Sequence, residues 1–397
     1  MSHPPLVWGL TVALIVALLL FDYFFHIRTP HVPTLAEAAR WSAAYIGVAL
    51  LFGLAVFMFG GAEPGIEYFA GYLTEKALSV DNVFVFLVIM TSFKVPREDQ
   101  QKALLIGIVL ALLARSGFIF VGAALIERFA WVFYLFGILL IFTAGHMALP
   151  QDRRHGGDEE GAVLRLTRAM LPSTGSYDGD KLFTVQDGRR RMTPMVAVIV
   201  TLGLTDILFA LDSIPAIFGL TQDVFIVFTA TAFSLLGLRQ LFFLVEGLLE
   251  RLLYLSYGLA AILAFIGGKL VLHALHENNL PFINDGQSVK VVEISTLQSL
   301  GVILGILVFT VLLSLLSPKG KAKTAVGRLR RSLEAWQALN AAGAPAAQRD
   351  AAYANLVDNE RAVRALPEKY RALIRERQSL REMLAQAHGR QPKVPVR

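Results

Sequence analysis

The 397 residues include no cysteine, which excludes disulfides, thiolate metal sites and cysteine nucleophiles. Charge is scarce too: Asp, Glu, Lys and Arg make up 17% of the chain against 55% hydrophobic residues. That balance lies outside the range of soluble domains and marks a polytopic membrane protein. Histidine is thinly scattered, and of the eight only His146 falls within an apolar run. Any bound metal must therefore be held mainly by oxygen. No nucleophile-and-base constellation is present, so neither an enzyme nor a prosthetic group is expected, and nothing points to nucleic acid.

What the chain has in abundance is long apolar runs. Nine could cross a hydrocarbon core of about 30 Å: Leu6 to Phe25, Trp41 to Gly60, Gly65 to Met90, Ala103 to Leu125, Phe129 to Met147, Thr193 to Leu220, Val224 to Val245, Leu252 to Leu272 and Thr296 to Leu316. The expected fold is all-α, with about nine transmembrane helices in residues 1–317. The first run has no basic region before it and no small-residue cleavage site after it, so it reads as a retained helix. Lys and Arg concentrate in alternate connections, with eight of them between Arg153 and Arg191. The positive-inside rule then puts the N-terminus outside and the C-terminus in the cytoplasm.

The net charge of +6 hides two unlike parts. Residues 318–397 hold 17 of the 37 basic residues and 7 of the 31 acidic ones, leaving 20 against 24 for the membrane part. The tail is expected to be a basic, cytoplasmic, helical segment, with Arg361 to Ala387 helical and interrupted at Pro367. Its Lys319, Lys321, Lys323, Arg328, Arg330 and Arg331 serve as a topogenic flank or meet an anionic leaflet. In the loop of residues 150–192, Asp187-Gly188 predicts a hairpin turn. The outer loop carries His273, His276, Glu277, Asp285 and Glu293, which read as solvated or as metal-collecting groups.

One stretch is written twice. Leu73-Thr-Glu-Lys-Ala-Leu-Ser-Val-Asp81-Asn82-Val83 returns as Leu204-Thr-Asp-Ile-Leu-Phe-Ala-Leu-Asp212-Ser213-Ile214. The correspondence continues at slightly smaller offsets, aligning Arg115 with Arg239, Glu127-Arg128 with Glu250-Arg251 and Tyr134 with Tyr257. Helices three to five (about 65–148) thus resemble helices six to eight (about 193–272). The copies lie an odd number of helices apart and cross the membrane in opposite senses, an inverted repeat with its site near the midplane.

Four carboxylates, Glu75, Asp81, Asp206 and Asp212, sit inside these apolar runs, where an ionisable group is a functional-site hypothesis by default. At 100° per residue, Thr74, Glu75, Asp81 and Asn82 share one sector roughly 120° wide. Thr205, Asp206, Asp212 and Ser213 do the same on helix six. Glu75 and Asp81 are about 9 Å apart along a straight helix, so either two sites lie along a path or a helix is broken. Pro215, where the first copy has Phe84, predicts the break in helix six. Together with Asn82 and Ser213 the acids form an all-oxygen set suited to Mg²⁺, Ca²⁺ or Mn²⁺. Four buried negative charges also invite protons to compete. The competing reading is structural, with the acids neutral or paired with Lys76, Arg115 and Arg239, and the two arginines are expected to act as such partners and not as ligands. Asp22 and Glu67 lie near helix ends and read as either interfacial or functional, and snorkelling accounts for His146 and Lys269. Gly301 and Gly305 have close-packing spacing, which leaves oligomeric state open.

At these residues the chain resembles the TerC family of integral membrane proteins. The resemblance rests on residues 75–86 and 205–218, on Thr221-Gln-Asp223 and on Leu236-Gly-Leu-Arg239, and it covers about Leu6 to Leu316. It implies a bacterial inner-membrane protein and, for one branch, manganese export, with the family's acidic positions falling on Glu75, Asp81, Asn82, Asp206, Asp212 and Ser213. The expectation is an exporter in which Asp81 and Asp212 are central ligands, Glu75 and Asp206 flanking ligands or proton carriers, and Asn82 and Ser213 neutral donors, with Mn²⁺ as cargo and not cofactor. Another divalent ion such as Ca²⁺, or an assembly or scaffolding role, stands as an alternative. Direct carriage of an oxyanion such as tellurite conflicts with four intramembrane acids.

Overall fold

A computed structural model of the chain describes residues 4–27, 33–129, 131–148, 177–179, 181–186, 189–245, 254–277, 283–341, 345–367, 384 and 387. Helix dominates them. α1 (Pro5–Asp22) continues into a π-helical turn, Tyr23–Ile27. α2 (Leu35–Ala55) starts where the Thr34 hydroxyl accepts from the Glu37 N–H, and it too ends in a π-helical turn, Val56–Gly60. α3 (Ala62–Ser92), α4 (Gln100–Arg128) and α5 (Val132–Ala148) follow. A two-stranded antiparallel hairpin, β1 (Phe183–Gln186) and β2 (Arg189–Met192), pairs Gln186 with Arg189. It flanks the expected turn at residues 187 and 188, which are outside the described set.

The second half comprises α6 (Pro194–Phe218), α7 (Val224–Leu235), α8 (Leu238–Val245), α9 (Leu255–His276) and α10 (Thr296–Leu316). By length and composition seven described spans can cross a membrane: α1, α2, α4, α6, α7 with α8, α9 and α10. Of the nine expected, α5 has only 17 residues, and α3 carries Glu75, Lys76 and Asp81 within its 31.

Two neighbouring pairs make the centre. α4 packs on α6 in the same direction, so that a Cβ added at Gly107 would lie 3.2 Å from Leu202 and one at Gly122 3.1 Å from Phe218. α3 packs on α7, again in parallel: Gly71 faces Ala230, and Lys76 reaches the Ser234 carbonyl at 3.1 Å. α3 also packs on α6, where Gly71 faces Ile217. α5 and α9 run oppositely, with Gly137 against Val271 and Gly267 against Ile141, and cross backbone to backbone at Gly137 and Gly267. Small residues permit that approach in a membrane, where packing replaces the hydrophobic drive. An aromatic cluster joins α1, α2, α3 and α7 through Trp8, Phe52, Tyr68, Phe225 and Phe233.

The break expected in helix six lies in helix seven. α6 runs unbroken through Pro215, which stands three residues from its end and whose carbonyl still accepts from the Gly219 N–H at 3.0 Å. Pro215 lacks the N–H that would bond the Leu211 carbonyl, yet the helix continues for three more residues. The apolar run from Val224 to Val245 is instead split at Leu236-Gly237. Gly237 has φ +81°, and a Cβ there would meet the Tyr45 Cβ at 2.8 Å.

The chain divides into two compact units, residues 1–247 with 256–309, and residues 248–255 with 310–397. In the second, α11 (Pro318–Ala341) and α12 (Ala346–Arg364) pack on each other around Leu329, Leu333, Trp336, Leu356 and Val363. α12 ends before Pro367, and most of the expected helix beyond it is outside the described residues.

Candidate functional site

Arg115 on α4 is fully buried, and its guanidinium ties the two copies of the motif together. Nε and Nη2 donate to the two Asp206 oxygens at 2.8 and 3.0 Å, and Nη1 donates to Ser213 Oγ at 3.0 Å and to Glu75 Oε1. Glu75 on α3 and Asp206 on α6 are both 0% exposed. Two carboxylates thus share one guanidinium, a side-on fork to Asp206 and a single contact to Glu75. Such a bidentate fork is the strongest and most directional pairing available to arginine. With both acids ionised the knot carries one net negative charge.

Asp81 and Asp212 lie outside this knot, and both are partly exposed. Asp212 Oδ1 accepts from the Thr143 hydroxyl of α5 at 2.9 Å. Asn82 is buried, and its amide nitrogen, like Glu75 Oε2 and Ser79 Oγ, has no hydrogen-bond partner among the described residues. Among the described residues no three His, Asp or Glu side chains gather as a metal-holding group. A cation here would be held by one or two acids and neutral oxygens.

A second buried arginine behaves differently. Arg239, in the first turn of α8, donates to both oxygens of Asp22 at 3.0 and 2.7 Å and also to Gln101 Oε1 at the start of α4. Gln240 Nε2 adds a bond to Asp22 Oδ1 at 2.8 Å. Asp22, expected to be interfacial or functional, is 5% exposed and paired. Glu67 is half-buried and accepts from the Thr221 hydroxyl at 2.6 Å.

Sequence comparison decides the family. The chain matches the integral membrane protein TerC family over residues 60–322. It belongs to the TerC family. An uncharacterized membrane protein of Mycobacterium tuberculosis is 53% identical over 392 residues, 98% of both chains. One from Myxococcus xanthus is 44% identical over 268 residues, 68% of this chain and 84% of that one. Alx of Escherichia coli, named as a proposed membrane-bound redox modulator, is 37% identical over 320 residues, 78% of this chain and 94% of Alx. No solved structure matches.

In this TerC chain the structure brings together Glu75, Asp206 and Ser213, through Arg115. It leaves Asp81, Asp212 and Asn82 outside that cluster. One further participant, Thr143, escaped sequence reasoning, and two others, Lys76 and Asp22, hold partners it did not name. Thr143 has no repeat-mate of its kind. Lys76 bonds to no acid but to the Ser234 carbonyl beside the α7 break, where a helix C-terminus favours a cation. Asp22 lies inside the apolar run Leu6 to Phe25, and a carboxylate there is the signal that could have announced its cationic partner.

Proposed function

We propose that this protein exports a divalent cation, with Mn²⁺ as the cargo, across a bacterial inner membrane by alternating access coupled to protons. The observation that carries the reading is the buried Glu75–Arg115–Asp206 knot, which joins both copies of the repeated motif in one place. The packing supports an inverted repeat: α3 beside α7 and α6 beside α4 are the pairings that exchange of the copies would interconvert. In this reading Asp81 and Asp212, the partly exposed acids, take the cation, and Asn82 adds a neutral oxygen. Glu75 and Asp206, neutralised in part by Arg115, carry the proton. Hard oxygens without thiol or imidazole suit Mn²⁺, Mg²⁺ or Ca²⁺.

The name of Alx raises redox modulation. A chain without cysteine offers no dithiol for such chemistry, and in this reading an influence on redox state passes through the metal it moves.

The test is efflux from proteoliposomes loaded with Mn²⁺, Ca²⁺ or Mg²⁺ across a set pH gradient. Wild type should move Mn²⁺ fastest, and Asp81→Asn and Asp212→Asn should each fall to the rate of protein-free vesicles while remaining folded. Transport indifferent to both substitutions would remove this site.

A further inference from the structure

Several buried hydroxyls of these helices bond to the backbone of their own helix. Thr74 donates to the Ala70 carbonyl at 2.8 Å, Thr201 to that of Ala197 at 2.7 Å and Thr229 to that of Phe225 at 2.8 Å, the familiar bond to the carbonyl four residues back. Ser79 on α3 is 0% exposed and leaves that bond unmade. Its hydroxyl has no partner among the described residues, and neither has Glu75 Oε2 or the Asn82 amide nitrogen, on residues 0% and 5% exposed. A buried polar atom without a partner is costly, and α3 carries three of them at i, i+4 and i+7.

That spacing puts them on one stripe. Asn82 falls within about 20° of Glu75 around the helix, with Ser79 about 40° to the side, and the steps along the axis are about 6 and 4.5 Å. One water bridges about 5.5 Å, the length of two hydrogen bonds of about 2.8 Å. The neighbouring charges do not close these gaps. Arg115 is held by Asp206, Ser213 and Glu75 Oε1, Arg239 by Asp22 and Gln101, and Lys76 by the Ser234 carbonyl.

The three atoms also give the row a direction. An amide nitrogen only donates, an ionised carboxylate oxygen only accepts, and a hydroxyl does both. A water between Asn82 and Ser79 accepts from the amide and donates to the hydroxyl; the hydroxyl donates to a second water, and that water to Glu75 Oε2. Every orphaned atom is then satisfied, with each donor aimed toward Glu75. Satisfying buried polar groups that protein atoms leave unpaired is the ordinary role of buried water.

We propose that a file of buried water runs along α3 from Asn82 past Ser79 to Glu75, and that it is the route by which a proton reaches the carboxylate of the knot. The proton comes from solvent beside Asp81, which adjoins Asn82 and is partly exposed. The first water takes it and passes one of its own to Ser79 Oγ; Ser79 passes its proton to the second water, which passes one to Glu75 Oε2. One O–H bond forms at Glu75, one is lost from solvent, and each link between keeps its number of protons. Asn82 holds the first water and relays nothing. With its nitrogen on the file and its oxygen on the cation, this one amide touches both the proton route and the cargo. The proton's use in export rests on the transport reading; the file does not.

Ser79→Thr and Ser79→Val separate the hydroxyl from the space it fills, because the two new side chains have nearly the same shape. Full-length protein labelled at asparagine nitrogen, in lipid bilayers, gives an Asn82 side-chain signal identified by its loss in Asn82→Leu. Water-edited solid-state NMR should show magnetisation passing from water to that nitrogen in wild type and in Ser79→Thr, and none in Ser79→Val. In proteoliposomes under a pH gradient, Mn²⁺ efflux should fall about a hundredfold in Ser79→Val, the scale of a positioned proton transfer, and Ser79→Thr should recover most of that loss.

No transfer from water to Asn82 in wild type overturns the file without any variant, and so does equal transfer in Ser79→Val and Ser79→Thr. Full efflux from a Ser79→Val chain whose water signal is gone overturns the proton route. A chain that passes the water test but moves no ion sinks the transport reading alone, and a wild type that exports Mn²⁺ with no water at Asn82 sinks the file alone.

Discussion

Arg115 is the residue on which the centre depends, and the sign of its contribution follows from counting charges. Removing it leaves Glu75 and Asp206 buried with no cation. Removing Asp206 leaves one carboxylate facing one guanidinium. Arg115→Ala should therefore cost about 3–5 kcal/mol, the usual loss when one partner of a buried pair is deleted. Asp206→Asn should cost less, about 1–3 kcal/mol. Thermal unfolding in detergent would check the order, and a reversed order would mean that Arg115 is not the common counter-ion. Thr143 acts one step removed from the chemistry, through the hydroxyl it donates to Asp212. Groups that orient a ligand typically contribute 10–100-fold to metal affinity or activity. Thr143→Val should thus raise the Mn²⁺ concentration for half-maximal efflux by at least about tenfold with little change in unfolding temperature.

At the scale of the elements, the helix break is set by contacts between helices. Proline is visible in any chain, so Pro215 invited the expectation of a kink. The observed break needs Gly237 with positive φ beside Tyr45 of α2, a neighbour almost two hundred residues away in sequence. Gly237→Ala should destabilise by about 1–2 kcal/mol from the backbone alone, with the Tyr45 contact in addition. In a Tyr45→Ala background the penalty should shrink without vanishing, which a double-mutant cycle by chemical unfolding would show. The crossing of α5 and α9 allows a cleaner comparison. A Cβ at Gly267 would stand 2.8 Å from the Gly137 carbonyl oxygen, whereas at the adjacent Gly268 nothing lies within 4 Å. Gly267→Ala should cost about 1–3 kcal/mol and Gly268→Ala almost nothing. The acids of the site were legible because the chain repeats them, and the helices because apolar runs are long. That Arg115 would partner buried acids was legible too; that it joins Glu75 of one copy to Asp206 of the other was not. Periodicity fixes faces within one helix, while the pairing joins three.

For the whole molecule, the family match and the compact units suggest a division of labour. The match stops at residue 322, soon after α11 begins, and every residue assigned to the site precedes it. The unit of residues 248–255 and 310–397 has its own core, with Trp336 3% exposed against Tyr353. The 98% coverage of the mycobacterial relative extends over this tail as well. A transporter whose machinery lies wholly in the first unit should keep its efflux rate in proteoliposomes when the chain is ended after Lys323. Trp336→Ala, which empties a buried aromatic site, should cost the tail about 3–5 kcal/mol and open α11 and α12 to proteolysis at an unchanged efflux rate. If either change abolishes efflux from vesicles holding no other protein, the tail belongs to the transport cycle. If efflux survives but the metal-stress phenotype of cells is lost, the tail works by docking a partner, and the scaffolding reading becomes the tail's role within a transporter.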